Sequence, residues 1–144
     1  MTRWAPLCLL VAVAAWCAAP LAAGQASYVM IVNPANNTGA VESTFVAQAF
    51  LKKLRRWPNG ETIQPIDLAP KADVRRQWSV EVLRRSVESV KSYWRQMIFS
   101  GHELPPPEVE SDDSVVTYVL KQPGAIGYVS PGANLRGAKL LVLK

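Results

Sequence analysis

Cysteine is nearly missing from this chain: there are two, Cys8 and Cys17, both close to the amino terminus. Beyond them no thiol is left to form a disulfide, attack a substrate or bind a soft metal. Histidine is as scarce, with His102 alone. The nearest oxygens along the chain, Glu103 and Glu108, do not complete a ligand set at metal-site spacing. Serines and aspartates are present, but no stretch assembles a nucleophile, a base and a group to orient it. These absences exclude thiol chemistry and argue against a metal centre. The expectation is a non-enzyme with no cofactor and no metal site.

One long apolar run exists, and it lies at the start. Met1-Thr2-Arg3-Trp4 precedes an almost uninterrupted apolar segment from Ala5 to Ala19, followed by Pro20 and the small residues around Ala23, Gly24 and Ala26. One positive charge, a short apolar run and a small-residue end match the plan of a secretory signal peptide. Pro6 and Pro20 interrupt the run, which falls short of the roughly 20 residues a spanning helix needs. Residues 1–26 are therefore expected to be a signal peptide cleaved near 23–26. Cys17 follows Trp16, not the small residue a lipoprotein signal requires, so no lipid anchor is expected there. The expected location is periplasmic or secreted. Residues 27–144 are of single-domain size, and a chain that long can bury a core that holds without disulfides.

The charge is moderately basic: sixteen Lys and Arg, one of them Arg3, against eleven Asp and Glu. In an exported protein this excludes nucleic acid as partner. It favours small anions, anionic lipid or lipopolysaccharide, or an acidic protein face.

The periodicities beyond the leader alternate between short β-rich runs and helical stripes. Strands are expected over Ser27–Val32, Thr62–Leu68, Ala125–Ser130 and Leu140–Leu143. Helices are expected over Glu42–Leu54, Asp73–Arg85, Ser86–Gly101 and Ser111–Lys121. Ser86–Gly101 is the best delimited, with Ser86 at the N-cap, Val87, Val90, Trp94, Met97 and Ile98 as a stripe, and Gly101 before Pro105-Pro106-Pro107. It is expected to be the surface on which the other elements pack. Lys52, Lys53, Arg55 and Arg56 are expected to complement the dipole at the end of the Glu42–Leu54 helix. The alternation argues for an α/β sandwich with a mainly parallel sheet.

Several segments, taken in order, resemble one family. They are Val32-Asn33-Pro34, Phe50-Leu51 followed by Trp57-Pro58-Asn59-Gly60, Pro65-Ile66-Asp67, Tyr93-Trp94 with Ile98-Phe99-Ser100-Gly101, Pro106-Pro107, and Gly124-Ala125-Ile126-Gly127-Tyr128-Val129. The chain resembles the phosphate-type solute-binding proteins of ABC uptake systems, and in particular their short single-lobe members. The resemblance implies a single lobe of the periplasmic-binding-protein-like (type II) fold, a mixed sheet flanked by helices, over 27–144. It also implies a small anion such as phosphate as ligand, and a membrane transporter or envelope protein as partner. A lone lobe cannot enclose a ligand, so a homodimer or partner lobe is implied as well.

Holding an oxyanion takes several N–H and O–H donors in place of its hydration shell, and helix starts supply them. Phosphate-holding members carry Ser-Gly-Thr at the helix start after the Pro-x-Asp strand. This chain has Ala69-Pro70-Lys71-Ala72-Asp73 there, followed by Arg75 and Arg76. The candidate ligand-binding residues are Lys71, Arg75 and Arg76 in that region, Asn37, Thr38 and Gly39 before the first helix, and Ser130 at a strand end. Asn36-Asn37-Thr38 is also a glycosylation sequon in form. Two functions follow: an exported module binding phosphate or another small oxyanion for uptake or sensing, and a non-catalytic envelope interaction module with a degenerate ligand site.

Overall fold

The computed structural model describes residues 27–144, so the expected signal peptide over 1–26 and both cysteines lie outside the described residues. The sheet is built around two strands far apart in sequence. β1 (Val29–Val32) pairs antiparallel with a strand at Ala125–Val129, Val29 opposite Val129 and Val32 opposite Ile126. The other edge of β1 meets Lys139–Leu140, also antiparallel. A run that starts at Gln64–Pro65 lies parallel to Ala125–Val129, and its continuation at Asp67–Leu68 lies parallel to Glu108–Val109. Ile66 N still donates to Ile126 O at 2.9 Å, while Asp67 N donates to Pro107 O at 2.9 Å, so one run of backbone serves both neighbours. Near the carboxyl terminus Leu141 N donates to Met30 O at 3.0 Å, and Val142–Leu143 then pairs parallel with Ala40–Val41.

In chain order these strands are β1, β2 (Ala40–Val41), β3 (Gln64–Pro65), β4 (Asp67–Leu68), β5 (Glu108–Val109), β6 (Ala125–Val129), β7 (Lys139–Leu140) and β8 (Val142–Leu143). The sheet is mixed, as the resemblance implied. Both partners of β1 are antiparallel to it, so the mainly parallel sheet read from the alternation is corrected at its centre. Alternation counts crossovers but does not see that β1 is joined to β6 and β7 across nearly the whole chain.

The helices are α1 (Ser43–Phe50), α2 (Asp73–Trp78), which runs on into a π-helical turn at Ser79–Leu83, α3 (Val87–Phe99) and α4 (Asp112–Lys121). Successive residues of a strand face opposite sides, and β6 is buried at all five positions because both of its faces are covered. On one face a Cβ at Gly127 would stand 2.6 Å from Val115 Cγ1 of α4 and 2.8 Å from Ile66 Cγ2. On the other face Tyr128 stacks on Trp78 at 4.0 Å between ring centroids, with Phe50 4.5 Å from Trp78.

Three expectations are corrected by these contacts. Ser86 does cap α3, its Oγ accepting from Ser89 N at 3.1 Å, and Gly101 does end it at φ 71°. Yet α3 buries only Val90 and Trp94 and leaves Ile98 and Phe99 49% and 95% exposed, so β6, not this helix, is what the other elements pack on. Good caps report where a helix starts and stops, not how deep it lies. The first helix ends at Phe50, and Lys52 adopts φ 55°, so Lys52, Lys53, Arg55 and Arg56 lie beyond the helix and not in its last turn. Asp73–Arg85 is not one α-helix: it changes to the π-helical turn after Trp78 and stops at Arg84, φ 55°. No described helix is long and apolar enough to cross a membrane.

The close approach at Gly127 gives a direct test. Gly127→Ala is expected to lower stability by about 2 kcal/mol through overpacking against α4, read as a lower urea midpoint with an unchanged slope.

Candidate functional site

Because β3 and β4 run parallel to β6 and β5, their carboxyl ends open on one end of the sheet, and the segments that follow them gather there. Lys71 and the start of α2 follow β4, the start of α4 follows β5, and Ser130 follows β6. The backbone N–H of Ser130 donates to Asp112 Oδ1 at 3.1 Å, joining two of these segments. β1 runs the opposite way, so Asn37, Thr38 and Gly39, which follow it, lie at the other end of the sheet. The structure thus brings Lys71, Arg75, Arg76 and Ser130 to one end and separates them from Asn37–Gly39.

Arg75 is the central side chain of the first group. It shares the inward face of α2 with Trp78, three residues on, and is 2% exposed. Its guanidinium Nη1 lies 2.7 Å from Asp67 Oδ1 and donates to Leu68 O at 2.7 Å. The same Asp67 oxygen accepts from the Tyr128 hydroxyl and, at 3.0 Å, from Leu68 N. Glu108 stands farther off, at 3.9 Å from Nη1, and Arg75 Nε is buried without a partner among the described residues. Sequence reading selected Arg75 but missed Asp67 and Tyr128. An acid inside an otherwise apolar strand, and a tyrosine alternating with a glycine that must lie under a helix, were the available signals.

Asn37 is exposed; the other remaining candidates are engaged with their neighbours. Arg76 bonds the Asp73 carboxylate and donates to Lys71 O at 2.9 Å, and Lys71 Nζ lies 3.1 Å from Glu110. At the far end, Thr38 N donates to Asn36 Oδ1 at 2.9 Å and Gly39 O accepts from Val142 N at 2.9 Å. Asn33 holds the end of α4, its Nδ2 donating to Val119 O at 2.9 Å and Leu120 O at 3.2 Å. Asn36 is 1% exposed, so the sequon's acceptor amide is closed to an oligosaccharide in the folded chain. His102 is exposed, with Nδ1 2.7 Å from Ser100 Oγ, and among the described residues no group of His, Cys, Asp and Glu is placed to hold a metal.

Burial dominates the electrostatics of the inner cluster. It pushes the Asp67 carboxyl from its ordinary 3.8 up to about 6, against the opposing pull of the Arg75 guanidinium and the Tyr128 hydroxyl. The Tyr128 hydroxyl is pushed up by burial and then by the charge on Asp67. A folded-state carboxyl that holds its proton more tightly than the unfolded one favours the fold when protonated. Its contribution is therefore complete below about pH 4 and lost as the pH rises through about 6. A difference of that size is worth about 3 kcal/mol. Urea midpoints are expected to rise between pH 7 and pH 5, and Asp67→Asn, which keeps an acceptor Oδ1 for all three donors, is expected to flatten that rise. Arg75→Met leaves a buried carboxylate without its cation and is expected to cost about 3 kcal/mol at pH 7 and less at pH 5.

No family model and no curated protein matches the chain. Solved structures do. An ABC-type phosphate transport receptor from Vibrio cholerae superposes with a TM-score of 0.62 at 14% identity, over 80% of this chain and 45% of its own. PstS from Borrelia burgdorferi superposes with a TM-score of 0.63 at 12% identity, over 82% of this chain and 47% of its own. The chain shares the fold of these phosphate receptors and spans less than half of their length.

Proposed function

We propose that residues 27–144 form one exported, non-enzymatic domain with the solute-binding-protein fold that works as an interaction module in the cell envelope. In this reading residues 1–26 direct export, and the strand-end anion site has been rebuilt as part of the core. The observation that carries the reading is the fate of Arg75. At the strand ends, where open α/β sheets place ligands, the most buried cation is spent on Asp67 and Leu68 O. Lys71 and Arg76 answer Glu110 and Asp73, and Ser130 N answers Asp112, so an arriving oxyanion would have to displace carboxylates from each. Drawing Arg75 away from Asp67 would leave a buried carboxylate without its cation, which is strongly unfavourable.

The second reading is a module that binds phosphate or a related oxyanion for ABC-type uptake or sensing, through a homodimer or a partner lobe. Its support is the fold shared with phosphate receptors and the convergence of Lys71, Arg76 and Ser130 at one end of the sheet. Isothermal titration of the purified chain with phosphate, sulfate and molybdate separates the two. No heat at millimolar anion is the expected result. Micromolar binding that Lys71→Ala and Arg76→Ala abolish would replace the first reading with the second.

A further inference from the structure

On the face of the sheet that carries α1, a groove of about 330 Å³ runs between α1 and the π-helical turn. Its lining is mixed: the buried Leu51, Val82 and Leu83 share it with the polar Ser43, Thr44 and Gln48. Around them stand Lys53, Arg84 and Arg85, and no lining residue is acidic. Among the described residues none of the three forms an ion pair, unlike Lys52, Arg55, Lys71, Arg75 and Arg76 elsewhere on the molecule. Glu81, the acid on the same turn, does not line the groove; it accepts from the Ser27 hydroxyl at 2.9 Å, and its charge and that of Arg84 both act on Tyr28.

Two features make this more than a scattering of surface charge. Lys53 Nζ and the Arg85 guanidinium converge on the single ring of Tyr93, at 5.9 Å and 5.6 Å from its centroid, and Tyr93 is pinned by its hydroxyl donating to Leu51 O at 3.0 Å. The ring attracts each cation modestly, the cations repel each other, and among the described residues neither forms an ion pair. Arg84 holds φ 55°, a conformation that residues with side chains adopt at a cost and that directs attention to function. It does so at the end of a π-helical turn, a feature that recurs at functional sites.

We propose that this groove docks an acidic, amphipathic protein segment, its carboxylates meeting Lys53, Arg84 and Arg85 and its apolar side chains lying on Leu51, Val82 and Leu83. This deepens the interaction reading above and rests on it. The occupant is a protein segment because the floor is recessed between two elements, whereas a bilayer surface meets what protrudes. A bare oxyanion would meet the cations but leave the rest of a groove of about 330 Å³ unfilled.

The test is fluorescence anisotropy on the full chain, with a labelled synthetic peptide that alternates pairs of Glu or Asp with Leu. Binding is expected to weaken on the order of tenfold in Lys53→Glu and in Arg84→Gly, and to hold in Arg56→Glu, an exposed cation outside the groove. Glycine suits the left-handed backbone at position 84, so Arg84→Gly is expected to melt no lower than the parent while losing binding. Equal loss in Arg56→Glu, or no loss in the groove variants, would overturn the proposal by reducing it to net charge. Capture by phosphatidylglycerol vesicles that the groove variants release, without peptide binding, would overturn it in favour of a membrane. If neither probe binds while phosphate titration stays silent, the groove is refuted and the interaction reading survives. Phosphate binding at the strand ends would remove that reading itself.

Discussion

A single atom, Asp67 Oδ1, accepts from Arg75 on α2, from Tyr128 on β6 and from the backbone of β4. Those donors come from three elements that must meet for the sheet to be covered on this face. The cluster sits under the Trp78–Tyr128 stack, so the polar contacts and the aromatic contacts fix the same approach of α2 to the sheet. Neither alone would hold a six-residue helix, which is too short to be stable by itself. Burial works against the carboxylate throughout, and three donors converging on one oxygen offset part of that cost.

That commitment links fold to function. The chain has the architecture of phosphate receptors, with helix starts and loops gathered at the carboxyl ends of three parallel strand segments. Sharing an architecture does not carry a site with it. Here the cations at those strand ends face inward or sideways to carbonyls and carboxylates. Lys53, Arg84 and Arg85, which form no ion pair among the described residues, lie on another side of the molecule, around the groove between α1 and the π-helical turn.

The sequence disclosed much of this, unevenly. Existence and type of the four helices and of the longer strands followed from periodicity, and Ser86, Gly101 and Ser111 marked ends that the structure keeps, Ser111 Oγ accepting from Ser114 N at 3.2 Å. Two-residue strands such as β2 and β5 carry too few positions to show a period, and they were not legible. Strand direction was not legible either, because it depends on which distant strand is a neighbour. At the candidate site, Arg75 was visible as a residue type, but not that it points inward. That follows from its sharing a face with Trp78, and from an acid in the adjoining strand that composition alone does not mark as buried.

β1 has a further consequence. Val29 lies opposite Val129 and Ile31 opposite Leu140, so β1 finds its partners only in strands at Ala125–Val129 and Lys139–Leu140. Contacts of such high order close slowly, because loop entropy must be overcome before any ladder bond forms. During synthesis β1 stays single until residues 125–140 have followed it. A sheet wired this way cannot close before residues 125–140 have been made, so its central strand waits as an extended thread through most of the synthesis of the described residues.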